Sequence, residues 1–515
     1  MQDMIQNVRA YREKLLADPY RPAYHFAIID DDGRPGDPNG AFFAEGRYHL
    51  MYLYRRRSTN AFHWGHISST DLLHWRHHPD AIGGLRGDEG CFSGGAFVDE
   101  DGKAYLSFWK FPSKDPAGDR GGIALAVSEP PYETWERMEP IAIEGLDGEK
   151  WGSMDYTDAD GVLHHLGCAD PSNIWKRDGW YYMQTGNLIT LNLYGRAADS
   201  PAEMRGDHVE LFRSRDLKTW EFVHRFYARR TDNSWTDETE DDMCPSFLPL
   251  PAQRGGGRMS EKYLQLFIAH NKGAQYYIGD YRDEHFYPEV HGRMSWQDNT
   301  YFAPEALIDG RGRQIMWAWL LDNLDNDFGR FGWSGVYGLP RELWLGEDGT
   351  LRMAPAEEIR RQFYNPQDFG SMTVCGKAPL PVRSGELCHL AVTLRPEEGE
   401  KPGVYVRATE DFSEITRIYY DAAAGELVFD ATESGSEGRR IVERAPFRLA
   451  EGEELRLEVF IDRSVVEVYA NDRQAICRRV YNANPAAARG VGLLAEKECR
   501  FTAVVAHEVS PTNPY

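Results

Sequence analysis

From Tyr24 to about Leu345 the chain is a succession of short runs rich in Tyr, Phe, Trp, Val and Ile. Turn signals cut these runs at Asp32-Gly33, Asp101-Gly102, Asp160-Gly161, Asp178-Gly179 and Asp309-Gly310. Aromatic and β-branched runs bounded by turn formers are strand sequence, so this stretch is all-β. Within it a fragment recurs. Ser69-Thr70-Asp71-Leu72-Leu73-His74-Trp75 matches Ser214-Arg215-Asp216-Leu217-Lys218-Thr219-Trp220, and residues 128–135 are a weaker echo. Each copy follows an apolar strand, and the spacing is too wide and irregular for a solenoid. Recurrent strand, turn and Trp suit radial four-stranded blades, and about 320 residues accommodate five of them. The expected fold is a five-bladed β-propeller over residues 24–353.

The flanks read differently. Met1, Met4, Ile5, Val8, Tyr11, Leu15 and Leu16 fall at helical spacing and Asp18-Pro19 stops them, which predicts an N-terminal helix within residues 1–23. Residues 354–370 read as a connector: Pro355 to Phe363 is helical in pattern and Asn365-Pro366 ends it. In residues 371–515 the strands alternate, as in Leu455-Arg456-Leu457-Glu458-Val459-Phe460-Ile461-Asp462 and Val465-Val466-Glu467-Val468-Tyr469. Alternation buries one face of each strand, the pattern of a β-sandwich. Such a second domain supports the propeller in a monomer or a homodimer.

Composition excludes several functions. The chain has 58 basic and 81 acidic residues, a net charge of −23, which repels phosphate backbones and anionic membrane surfaces. Nucleic acid and membrane are therefore not expected partners. No apolar run reaches membrane-spanning length, and no charged segment followed by an apolar one opens the chain. Cysteines 91, 168, 244, 375, 388, 477 and 499 are scattered and odd in number, as reduced thiols of a cytoplasmic protein are. The histidines show no HxxxH or HEXXH spacing, and no P-loop, GxSxG or dinucleotide fingerprint occurs in a strand-to-helix context. No metal and no cofactor is expected.

Several short motifs follow one another in a specific order. They are Asp37-Pro38-Asn39-Gly40, Trp64-Gly65-His66 with Ser69 to Trp75, Cys91-Phe92-Ser93-Gly94-Gly95-Ala96, and Ala169-Asp170-Pro171. Cys244-Pro245, Ile315-Met316-Trp317-Ala318-Trp319 and Gly338-Leu339-Pro340-Arg341-Glu342-Leu343 come next, and Ile461 to Tyr469 lies in the second domain. Taken together they resemble glycoside hydrolase family 32, the invertases, fructan hydrolases and sucrose-6-phosphate hydrolases. The resemblance covers nearly the whole chain after the first helix. It implies a five-bladed propeller followed by a β-sandwich, the architecture already read from the strand pattern.

By this resemblance Asp37 is the nucleophile of a retaining glycosidase. Such an enzyme passes through a covalent sugar ester and needs a second carboxyl as proton donor. Asp170 by the same resemblance holds sugar hydroxyls and steadies the oxocarbenium-like transition state. Both residues also suit turns or caps. The family's acid/base Glu stands directly before Cys-Pro, where this chain has Met243, and a thioether donates no proton. Ala169, Leu53 and Gly36 are further departures, standing where Arg, Gln and Asn are usual. In the acidic run Glu238 to Asp242, a displaced carboxylate is expected to serve as the acid, in the order Asp241, Asp242, Glu240. Like charges would raise its pKa toward the required value.

Asn39, Ser93 and Glu305, the last where relatives often carry Gln, are candidate binding residues. Trp64, Phe92, Trp109, Trp319 and Trp333 are candidates for the apolar wall of a sugar pocket, though propeller cores consume Trp as well. Arg55-Arg56-Arg57 offers bidentate contacts to an anionic leaving group, with Arg57 foremost, or forms surface ion pairs. The expected function is a retaining fructofuranosidase with a carbohydrate substrate. The alternatives are a fructosyltransferase or difructose-anhydride enzyme on the same site, and a sugar-binding protein that has lost its proton donor.

Overall fold

The computed structural model describes residues 2–513 except 29–32, 57, 84–89, 112–120, 140–141, 145–152, 158–159, 188–205, 229, 231, 323–332 and 398. Five antiparallel sheets follow in chain order. The first blade is a meander of Gly33–Ala44, Arg47–Arg56, Phe62–Ser69 and Arg76–Gly83. The second holds Ala96–Val98, Ala104–Lys110, Gly122–Ser128 and Glu136–Arg137, with Ile143–Glu144 also pairing its third strand. The third runs Ala169–Pro171, Trp180–Gly186, His208–Ser214, Trp220–Ala228, and Trp175–Arg177 adds to its second strand. The fourth is Met243–Pro251, Met259–Ala269, Gly273–Arg282 and His285–Arg293, and the fifth Tyr301–Ile308, Gln314–Leu320, Arg341–Leu345 and Leu351–Pro355.

The repeated fragment is the turn between the third and fourth strands of a blade. In the first blade Asp71 Oδ1 accepts the N–H groups of Leu73 and His74, and in the third Asp216 Oδ1 accepts those of Lys218 and Thr219. Leu72 and Leu217 both take φ 63°, so each copy reverses the chain through the same left-handed residue. Aromatic side chains fill the wedges between blades. Phe42, Trp64, Phe108 and Tyr132 pack in one cluster, and Tyr182, Phe226, Phe247, Phe267 and Phe286 in another. The first strand of the first blade touches those of the second and fifth, and the first strand of the fourth touches those of the third and fifth.

The chain divides into two compact units, 32–319 with 342–351, and 1–31 with 320–341 and 352–515. The expected boundaries shift accordingly. The helix Gln2–Ala17 ends where Asp18-Pro19 predicts, but residues 18–28 belong with the sandwich. The cause is one carboxylate: fully buried Asp462 accepts the N–H groups of Ala23, Tyr24 and His25 at 2.7 to 2.8 Å. Trp333 lies in this unit too, its indole N–H bonded to Asp18. The expected connector contains a 3₁₀ helix, Glu357–Gln362, and the first sandwich strand opens at Phe363 rather than at 371.

The sandwich strands form one continuous ten-stranded sheet. Gly490–Val509 makes this possible, because its early residues pair with Gly403–Ala408 and its later ones with Leu387–Leu394. At the heart of this unit His25 bonds Asp462 (3.1 Å) and approaches Glu467 (3.4 Å), and Arg341 bonds the same Glu467 at 2.9 Å. His25, Glu467 and Cys477 have ligand atoms close enough to hold a metal ion. Arg341 already neutralises that carboxylate, and burial makes a second cation costly.

Candidate active site

Asp37, Asn39, Ser93, Asp170 and Glu305 each lie on, or just before, the first strand of a blade, whereas Trp64 is on the third strand of the first blade and Trp319 on the second strand of the fifth. Asp37 is in the first blade, Ser93 leads into the second, Asp170 is in the third, Met243 and Cys244 open the fourth, and Glu305 is in the fifth. Radial blades bring five such strands around one axis, which gathers side chains that are hundreds of residues apart.

Asp37 and Asp170 share a neighbour. Cys244 Sγ lies 3.4 Å from Asp170 Oδ2 and 3.8 Å from Asp37 Oδ2, and the Cys244 N–H reaches the same Asp170 oxygen at 3.3 Å. Ser93 Oγ donates to Asp37 Oδ2 at 2.7 Å. Asn39 braces this strand from behind: its amide donates to the Asp37 carbonyl and its Oδ1 accepts the Gly94 N–H. Burial raises the Asp37 pKa, opposed by Ser93, the His270 charge and Cys244. Burial and then the Asp37 charge push Asp170 up to about 7. Burial and the same two carboxylates hold the Cys244 thiol far above its ordinary range, so it stays a donor.

The acidic run is placed otherwise than expected. Asp241, Asp242 and Glu240 are each fully buried, and none of them is among the groups acting on Asp37. Glu240 is bonded by Lys272 and by Gln275 Nε2. Asp242, beside Asp207 and Glu240, is driven well above the carboxylate range by burial and by their charges. Asp241 points to His270: its Oδ2 is 2.6 Å from His270 Nδ1 and its Oδ1 accepts the His270 N–H. Glu240, Asp241 and Asp242 are thus engaged by Lys272 and Gln275, by His270, and by the Asp207 side respectively, and none of them bonds Asp37, so the expected displaced carboxylate is not placed beside it. Met243 is buried too, and a Cβ on Gly186 would lie 2.9 Å from its sulfur.

His270 is the residue that sequence reasoning missed. It follows Met259–Ala269 directly, and Met243 pairs with Ile268 across the ladder, so His270 emerges beside the position of the absent Glu. Its side chain is 39% exposed. Nothing in its local sequence marks it, because its partner Asp241 lies 29 residues earlier.

The remaining candidates divide. Trp319 stands against the strand that carries Asp37, since a Cβ on Gly36 would meet its ring at 3.6 Å, and Phe302 meets it edge-on. Half-buried Phe92 packs at tilted angles against Phe62, Trp109 and Phe111. Trp64 is fully buried and is corrected to a support: its indole N–H holds the Phe92 carbonyl at 3.0 Å. Glu305 accepts the Ala41 N–H at 2.8 Å, and burial pushes it up to about 8. Arg56 is 3.7 Å from Asp80, and Arg55 lies over Phe62. Arg57 lies outside the described residues.

The chain matches the family model described as "Glycosyl hydrolases family 32 N-terminal domain" over residues 32–355, and "Glycosyl hydrolases family 32 C terminal" over 357–510. It belongs to glycosyl hydrolase family 32. This family-32 chain is 27% identical to a sucrose-6-phosphate hydrolase of Zymomonas mobilis over 90% of its length and 86% of that protein's. It is also 27% identical to the raffinose invertase of Escherichia coli, with 93% and 94% covered. Its fold is similar to that of fructan 1-exohydrolase IIa from Cichorium intybus, with a TM-score of 0.79 at 19% identity, covering 96% of this chain and 98% of that one. Membership makes the five-bladed propeller with a β-sandwich the family architecture. Among the described residues no helix is long and apolar enough to cross a membrane.

Proposed function

We propose that this family-32 chain is a retaining fructofuranosidase in which Asp37 attacks the anomeric carbon. Asp37 is half-buried, fixed by Ser93 and Asn39, and faces the one other carboxylate that Cys244 touches. That pairing carries the reading. Attack forms a fructosyl ester on Asp37 and releases an alcohol, which takes a proton, and water then cleaves the ester with retention. Asp170, held near neutrality, is suited to hydrogen-bond sugar hydroxyls, and these bonds strengthen as positive charge grows on the ring. Phe92 and Trp319 offer apolar surface beside the attack point. Relatives named sucrose-6-phosphate hydrolase and raffinose invertase support a fructoside as substrate. Seven free thiols, five of them buried, agree with a reducing, cytoplasmic setting.

Turnover on sucrose, sucrose 6-phosphate, inulin and levan oligomers, difructose anhydrides and aryl arabinofuranosides tests the reading, with Asp37→Asn alongside. Turnover that vanishes in the variant supports it. Transfer to sugar rather than water would appear as larger products at high substrate concentration. One observation favours a binding protein without activity, namely Met243 in the acid position. Sugar binding with no turnover on the whole panel would establish that reading instead.

A further inference from the structure

The reaction needs a proton donor and the family's position for it holds a buried thioether. We infer that His270 is the acid/base of this enzyme, with Nε2 delivering the proton and Asp241 orienting the ring through Nδ1. The inference rests on the retaining fructofuranosidase reading above.

Four observations carry it. His270 emerges from the strand that pairs with Met243, so the donor moves from one strand to its neighbour without leaving the rim of the site. The Asp241 contact occupies Nδ1 at 2.6 Å, and the Asp241 bond to the His270 N–H fixes the backbone as well. Nε2 has no hydrogen-bond partner among the described residues, and the partly exposed ring has room for a leaving group. Phe302 packs edge-on against the ring at 5.8 Å, so Asp241 and Phe302 hold the ring, and Asn299 Nδ2 fixes the backbone by donating to the His270 carbonyl at 2.7 Å.

The charges around it act in one direction. Burial lowers the His270 pKa, but the hydrogen bond and charge of Asp241 and then the charges of Asp170 and Asp37 outweigh it, so the net shift is upward. Cys244, which touches both of those aspartates, is a neutral thiol. Lys272, two residues on, is tied to Glu240 and Asp237. A buried carboxylate behind an imidazole whose other nitrogen is free is an arrangement suited to giving and taking one proton.

The step balances. Asp37 forms a bond to the anomeric carbon as its bond to the glycosidic oxygen breaks, and that oxygen takes the Nε2 proton of the imidazolium. In the second half, neutral Nε2 takes a proton from water as the water oxygen bonds the anomeric carbon and the ester bond to Asp37 breaks.

Kinetics of His270→Gln on sucrose and levan oligomers, whose leaving groups need a proton, are compared with those on a nitrophenyl fructofuranoside, whose leaving group does not. The expected result is a loss of about 10²- to 10⁴-fold on the former and a much smaller loss in the first step on the latter. Added azide, a nucleophile that needs no base, should speed the variant and yield a fructosyl azide. In Asp241→Asn, which keeps the histidine, the alkaline limb of kcat/KM should move to lower pH. Wild-type rates in His270→Gln, equal losses on both substrate types, or an unmoved limb in Asp241→Asn would overturn the assignment. Turnover that depends on Asp37 but not on His270 removes this inference alone, whereas a wild type inert on every fructoside removes the fructofuranosidase reading and this inference with it.

Discussion

Cys244 and Asp170 are joined twice, by the thiol at 3.4 Å and by the backbone N–H at 3.3 Å, both onto Oδ2. Cys244 takes φ 50°, and this left-handed turn is what aims N–H and sulfur at one oxygen. The contact partly offsets the burial that pushes Asp170 up to about 7.

Cys244→Ala removes the thiol donor and keeps the backbone one. Asp170 should then ionise at higher pH than in the wild type, with sugar affinity following the same displacement. Carboxyl chemical shifts recorded across the pH range read this directly, and an unchanged midpoint would remove the thiol from the account.

Asp37→Asn should lower kcat by about 10⁴-fold or more, as losing one member of a catalytic unit does, while sugar binding survives. The Asp37 charge is the second cause of Asp170's upward shift, so the same variant should bring the Asp170 midpoint down from about 7. Sugar titration and NMR check both parts on one sample.

A histidine cluster in the first blade should make the fold acid-labile. His49 Nδ1 and His66 Nε2 are 2.9 Å apart, and His66 stacks on His78. Burial first, then the neighbouring positive charges, lowers His49 to about 3 and His66 to about 2. The unfolded chain binds these protons near 6.5, so stability falls as pH drops from about 6.5 toward 3, by up to about 1.4 kcal/mol per pH unit for each group. Urea unfolding at stepped pH should show a steeper acid slope than in His49→Gln/His66→Gln.

Glu467→Gln should cost about 3–5 kcal/mol, because it leaves Arg341 buried without its carboxylate and strips His25 of one of its two. Burial alone would raise the Glu467 pKa, yet His25 and Arg341 bring it to about 2. Its contribution is therefore complete above the unfolded value of 4.5 and is lost as pH falls toward 2. His25 is shifted upward, so its share is complete below 6.5 and is lost as pH rises through its folded value. Denaturation midpoints of variant and wild type at pH 7 and pH 3 should differ strongly at the first and less at the second.

Trp64→Phe should destabilise by about 1–3 kcal/mol through the unsatisfied Phe92 carbonyl. Activity per folded molecule should change little, since the ring is fully buried. A large loss of kcat with unchanged stability would return Trp64 to the sugar pocket.

Local chemistry was legible in the chain. The Ser-x-Asp-Leu fragments encode a turn through the hydrogen bonds of Asp71 and Asp216 to nearby N–H groups, and that information lies within five residues. Strand texture, alternation in the second domain, and the stop at Asp18-Pro19 are local in the same sense. The motif order around Asp37 and Asp170 marked both carboxylates, and Met243 before Cys244-Pro245 showed that a proton donor was absent from its usual place.

What stayed hidden depends on partners distant along the chain. Asp462 draws residues 23–25 into the sandwich unit across more than 430 positions, so no reading of the first helix alone could give the unit boundary. The resemblance around Cys244-Pro245 pointed to Asp241, Asp242 and Glu240 as acids near a pocket. Only the backbone of the turn decided that Glu240 meets Lys272, that Asp242 is sealed beside Asp207, and that Asp241 meets His270. Sequence determines which groups are present and how each short segment bends. Tertiary packing decides which of them share a water-poor space, and there charge and hydrogen bonding set what each group can do.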